Sequence, residues 1–107
     1  MKKIYLFCGN GMSTSILASK MQTVADEHSL PIEVKAYPIS QLEMIIDTLH
    51  PDCILLGPQV KYLYEKTVND FGEKGIPIAV IDSSDYGMMK GMNVLKSAIK
   101  LIKETKK

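Results

Sequence analysis

Short apolar runs alternate with stretches of helical periodicity four times along this chain, and that alternation admits very few folds. Ile4-Tyr5-Leu6-Phe7 reads as a strand. From Ser13 to about His28, Leu17, Met21, Val24 and Ala25 fall on one helical face. Pro31 breaks that helix, and Ile32 to Tyr37 alternates as a second strand ending at Pro38. Ser40 with Glu43 three residues on is a capping-box pattern, and Ile39 and Met44 are placed as its hydrophobic staple. Leu42, Ile45, Ile46 and Leu49 carry that helix to a stop at Pro51. Cys53-Ile54-Leu55-Leu56 is continuously apolar, as a strand covered on both faces should be. Gly57-Pro58 then turns the chain into a helix from about Gln59 to Phe71, with Val60, Leu63, Tyr64, Thr67, Val68 and Phe71 available for its inner face. Ile76 to Ile81 reads as a fourth strand. A last helix, Tyr86 to Lys103, turns Leu95, Ala98, Ile99 and Ile102 inward, and Lys103 to Lys107 reads as a frayed tail.

The order βαβαβαβα with short loops predicts one α/β domain over residues 1–107. It is a three-layer sandwich, with a four-stranded parallel sheet, helices on both faces and right-handed crossovers. A hydrophobic share of 46% excludes a disordered chain, and a formal charge of +1 gives no footprint for nucleic acid or an anionic membrane. No run approaches the ~18 apolar residues of a membrane span, and the N-terminal apolar run is short of the ~7–15 of an export signal. A cytoplasmic protein without membrane insertion is expected. Nothing signals oligomerisation, so a monomer is expected. Cys8 and Cys53 are too few for a disulfide scaffold, and His28 and His50 have no partner ligands at metal spacing, so no metal or cofactor is expected.

In an open parallel sheet the ligand site lies beyond the carboxyl ends of the strands. Cys8-Gly9-Asn10-Gly11-Met12-Ser13-Thr14-Ser15, Gly57-Pro58-Gln59 and Asp82 to Gly87 collect there, whereas both histidines and Cys53 belong to the opposite rim. Cys53 reads as a small core residue. Cys8 stands at a strand-to-helix turn, before glycines that allow close backbone approach and three hydroxyl residues at a helix start. Free N–H groups from Gly9 to Ser15 would form an anion cradle, and the same positive helix end favours a thiolate. A nucleophile for phosphorus and a nest for the resulting phosphate are thus one segment.

Other phosphate loops fit less well. The loop has no lysine for a Walker motif, and Thr14 stands where a dinucleotide fingerprint wants glycine. A cysteine phosphatase of the CX5R type, which low-molecular-weight phosphatases build on a similar fold, needs an arginine where Thr14 stands, and residues 8 to 19 carry no cation. Asp85-Tyr86 does resemble the Asp-Pro-Tyr that supplies the acid in those enzymes. Without the arginine a phosphocysteine keeps its amide nest but loses its bidentate clamp, which suits a carrier better than a hydrolase. Three readings stay open on the residues alone: a phosphocarrier, a phosphatase using Cys8 and Asp85, and a module that only binds a phosphorylated partner.

At these residues the chain resembles enzyme IIB of the lactose/chitobiose (cellobiose) family of the bacterial sugar phosphotransferase system. The resemblance spans essentially the whole chain. It is anchored by Cys-Gly-Asn-Gly-Met-Ser-Thr-Ser at 8–15, Leu-Leu-Gly-Pro-Gln-Val at 55–60 and Asp-Tyr-Gly-Met-Met-Lys-Gly at 85–91. It implies a phosphohistidine–sugar phosphotransferase acting through a phosphocysteine at Cys8. Its donor would be enzyme IIA, and its acceptor a cellobiose-, chitobiose- or lactose-like sugar held by membrane enzyme IIC. Around the rim, Met12, Met88, Met89 and Met92 form either an adaptable docking surface or ordinary core. Gln59, Asp85, Tyr86, Met88 and Met89 are the candidate rim and partner contacts: Gln59 is placed either to touch the loop or donor or to stand in water, and Tyr86 to pack beside the loop. Asp82 and Asp85 read as helix-entry caps.

Overall fold

Burial on both faces marks the strand at the centre of the sheet: Ile4 to Cys8 are all buried, and they end β1 (Lys2–Cys8). The computed structural model describes residues 1–9 and 12–105, leaving aside the side chains of Met12 and Glu73. β1 pairs in parallel with β2 (Ile32–Pro38) on one side and β3 (Cys53–Leu56) on the other, and β4 (Ile78–Val80) pairs with β3. The order is β2-β1-β3-β4, so the expected four-stranded parallel sheet is present.

The alternation of side chains along the strands divides the core into two layers. Ile4, Leu6, Val34, Cys53 and Leu55 pack under α1 (Met12–Glu27) and α5 (Gly91–Thr105). Tyr5, Phe7, Ile54 and Leu56 pack under α2 (Leu42–Leu49) and the segment around α3 (Tyr64–Phe71). Each fully buried Leu, Ile or Phe contributes about 1.5–3 kcal/mol. α1 and α5 approach so closely that a Cβ on Gly91 would lie 3.0 Å from Lys20 Cβ and 3.1 Å from Met21 N. β2 is one of the two edge strands. Its outward backbone groups meet the Gln22 amide of α1, whose Nε2 donates to Ile32 O (2.9 Å) and whose Oε1 accepts from Val34 N–H (2.8 Å).

Several local expectations are corrected. Ser40 makes no side-chain cap and Met44 is exposed, because the chain enters α2 through a 3-10 turn, Ile39–Gln41, in place of a capping box and staple. The expected 59–71 helix is a 3-10 segment, Pro58–Leu63, followed by α3, and Tyr64 points outward. The fourth strand is shorter than expected. The last helix is two: α4 (Ser83–Gly87) and α5, with α5 helical to Thr105 where a frayed tail was expected.

Met89 causes the split. It adopts φ 52°, its N–H donates to Tyr86 O (3.1 Å), and Lys90 N–H donates to Asp85 O (2.9 Å). This is a left-handed helix stop built on methionine, where glycine is usual. Asp82 caps the other end of α4 as expected, its Oδ2 accepting from Asp85 N–H at 3.1 Å.

Candidate functional site

Strand order places the site before any side chain is considered. From β1 the chain leaves into α1 on one face, and from neighbouring β3 it leaves through Gly57 toward α3 on the other. A crevice must open where adjacent strands send their connections to opposite faces. Cys8 ends β1 there. Gly57 lies directly beside it, its N–H donating to Phe7 O at 2.8 Å. A Cβ on Gly57 would sit 3.3 Å from Cys8 Cβ, 3.5 Å from Phe7 O and 2.6 Å from Gln59 Oε1. Gly57 is therefore the wall of the Cys8 position, and the exposed Gln59 side chain folds back over it. The sequence placed Gly57-Pro58-Gln59 at this rim but gave Gly57 no role of its own; a glycine ending an apolar strand just before proline was the available signal.

Three loop hydroxyls have two different fates. Ser13 and Ser15 are exposed on the first turn of α1, while Thr14 is fully buried and its Oγ1 lies 2.9 Å from the buried hydroxyl of Tyr86. Extending the Leu17–Met21 stripe back three residues would have found Thr14. Gly9 is exposed, with Val60 Cγ1 4.0 Å from where its Cβ would be. Asn10 and Gly11, and the side chain of Met12, lie outside the described residues. Cys8 itself is 1% exposed.

The late loop divides as well. Tyr86 is buried and turns inward to Thr14, beside the start of α1. Asp85 is half-buried, accepts a hydrogen bond from Asn93 Nδ2 (3.3 Å) and faces Ala79, Val94 and Ser97, which ties it to α5. Met88 is exposed at 66%, but Met89 packs against the core and Met92 lies along the α1–α5 flank beside Val24 and His28. Met88, Met89 and Met92 do not form one patch, and the side chain of Met12 lies outside the described residues.

Cys53 pairs in register with Ile4, four residues short of Cys8, which excludes a disulfide between them. Burial first, and Asp52 second, push its thiol pKa up to about 12, as befits an inert core residue. Burial also raises the Tyr5 hydroxyl, which donates to Glu33. A cleft of about 540 Å³ lies at the opposite rim, lined by His50, Asp52 and Lys74, and takes no part in the site.

Fold and site together define a class: a doubly wound parallel domain with a cysteine at its switch point, before a helix start whose loop lacks a cation. The model of the family described as PTS system, Lactose/Cellobiose specific IIB subunit, matches residues 3–97, and the chain belongs to that family. It is similar to the PTS system galactose-specific EIIB component of Lactococcus lactis subsp. cremoris (strain MG1363), 38% identical over 104 residues, covering 94% of this chain and 96% of that protein. The PTS system cellobiose-specific EIIB component of Lactococcus lactis subsp. lactis (strain IL1403) has the same identity, length and coverages. The solution structure of the cellobiose-specific phosphotransferase IIB component from Borrelia burgdorferi superposes with a TM-score of 0.79 at 33% identity, covering 97% of this chain and 94% of that one. IIB components are phosphotransferases of sugar transport that work with IIA and IIC components, and the phosphocarrier role fits this family where a phosphatase does not. Among the described residues no helix is long and apolar enough to cross a membrane.

Proposed function

We propose that the chain, acting over residues 1–107 as one IIB domain in the cytoplasm, carries a phosphoryl group on Cys8 from a IIA phosphohistidine to a sugar held by IIC. The observation that carries this reading is the place of Cys8, at the carboxyl end of the central strand and at the switch point, against the first turn of α1.

The thiolate attacks phosphorus in line. The S–P bond forms as the P–N bond breaks, and the electron pair returns to the imidazole, which takes up a proton. No histidine base beside Cys8 is needed, because the donor arrives with a good leaving group and the chain supplies alignment and charge stabilisation. In the second step a sugar hydroxyl attacks phosphorus, loses its proton, and the thiolate leaves. Backbone N–H groups between Gly9 and Ser15 hold the phosphoryl oxygens, so affinity follows backbone geometry more than any one hydroxyl. Gln59 and Met88, exposed at the rim, meet the docked partner.

Intact-mass spectrometry after mixing with a phosphorylated IIA component tests this, with Cys8→Ser alongside. One phosphate gained by the Cys8 form alone is expected. Release of inorganic phosphate with none retained would establish a phosphatase, and no reaction at all would leave a binding module.

A further inference from the structure

We propose that Tyr86 is a positioning residue for phosphoryl transfer, acting through Thr14 on the first turn of α1; the proposal rests on the phosphocarrier reading of Cys8. The hydroxyls of Thr14 and Tyr86 stand 2.9 Å apart and join segments 72 residues apart in sequence. Both residues are buried, Thr14 completely. A buried hydroxyl must have a partner, and this pair supplies one for each. Thr14 is the third residue of α1, where backbone N–H groups have no partner within the helix. Those N–H groups are the ones offered to the phosphoryl oxygens. Their direction is set by how the first turn is seated, and the Thr14 side chain seats it.

Tyr86 is a fixed point for that seat. Its short helix, α4, is held at the start by the Asp82 cap and at the end by the left-handed Met89 stop, and Asn93 of α5 holds Asp85 beside it. The tyrosine hydroxyl thus transmits the position of the sheet's β4 edge to the loop beside β1. Thr14 is consequently no phosphate ligand through its side chain, and Tyr86 is no partner contact. Each serves the cradle from beneath.

The test uses Tyr86→Phe, Thr14→Val, their combination and Thr14→Ser, with two readouts: rapid-quench phosphorylation by a phosphorylated IIA component, and amide hydrogen exchange over residues 16–19, the first amides of α1 whose helical partners are the carbonyls of its first turn. Either single variant should slow transfer about tenfold with KM for the donor unchanged. Exchange should speed up at residues 16–19 of α1 and not in α5. The double variant should be no slower than either single one, and Thr14→Ser should stay near wild type. Wild-type rates in Tyr86→Phe, multiplicative losses in the double variant, or a loss of stability with transfer intact would each overturn the proposal. If the wild-type chain accepts no phosphate while exchange responds as stated, the carrier reading fails and the seating of the first turn stands. If the wild type is phosphorylated and no variant alters the rate, the positioning role fails alone.

Discussion

Gly57→Ala separates stability from transfer. Gly57 has φ −62° and ψ 153°, an extended conformation open to any residue, so alanine meets no backbone strain there. Restricting the unfolded chain contributes about 0.4–1 kcal/mol in favour of the variant. Against that stand the contacts of the new methyl. Gln59 Oε1, at 2.6 Å, is the end of an exposed flexible side chain and moves at little cost. Cys8 Cβ, at 3.3 Å, belongs to the central strand and has to yield by about 0.4 Å to reach the ~3.5–4.0 Å of an ordinary carbon contact. Mild overpacking of this kind costs about 1 kcal/mol, so the two terms nearly cancel.

Transfer has no such compensation. At about a hundredfold per ångström of misplacement, a shift of ~0.4 Å at the nucleophile slows phosphorylation roughly sixfold. The assay is rapid-quench phosphorylation of wild type, Gly57→Ala and Gly72→Ala, with urea unfolding of all three. Gly72 is also in an ordinary helical conformation (φ −60°), and its Cβ would meet only Val68 Cγ1 at 3.5 Å, so that variant should gain stability and transfer normally. Transfer at the wild-type rate by Gly57→Ala would refute the view that Gly57 sets the Cys8 position. A loss of more than about 3 kcal/mol would refute the claim that the methyl can be accommodated.

Gly91→Ala should destabilise by about 1–3 kcal/mol in urea unfolding, because its methyl meets the backbone of Lys20 and Met21, where no side chain can swing away. Cys53 gives a pH signature. Its folded pKa of about 12 exceeds the ordinary thiol value of 9.0, so between those values the unfolded chain ionises while the folded one does not, and stability falls as pH rises. From pH 8 to pH 10.5 wild type should lose about 2 kcal/mol more than Cys53→Ala; equal losses would deny the buried neutral thiol. Gln22→Leu leaves Ile32 O and Val34 N–H without their side-chain partners at the β2 edge. It should cost about 1–2 kcal/mol in urea unfolding and produce concentration-dependent association in size-exclusion chromatography, since an unpaired strand edge is a template for another strand.

The layers were legible because a parallel sheet covered on both sides leaves its inner strands no polar face. Ile4 to Phe7 and Cys53 to Leu56 announce burial on both sides, and the helical stripes at Leu17–Met21–Ala25 and Leu95–Ala98–Ile102 name their inner faces. What escaped the sequence depends on tertiary contact. Met89 carries no turn signal, and only packing against the core holds a methionine in the left-handed region. Ser40 matches a capping box, yet the preferred entry to α2 is a 3-10 turn that needs no side chain. At the site, Cys8 and its loop stood out by composition. Gly57 did not, because its role is the space it leaves beside another strand.

The distinction between carrier and hydrolase comes down to the two side chains of Asp85-Tyr86. A phosphocysteine is hydrolysed when a cation clamps the equatorial oxygens and an acid or base is aimed at the reacting atoms. Residues 8 to 19 supply no cation. The carboxylate of Asp85 is directed to Asn93 on α5, and the hydroxyl of Tyr86 is directed inward to Thr14. Two residues that resemble a phosphatase acid segment therefore act on the scaffold: one ties α4 to α5, the other seats the helix whose N–H groups form the cradle. An amide nest stabilises a phosphoryl group without activating water against it, which is the property required of a group that must be handed on intact.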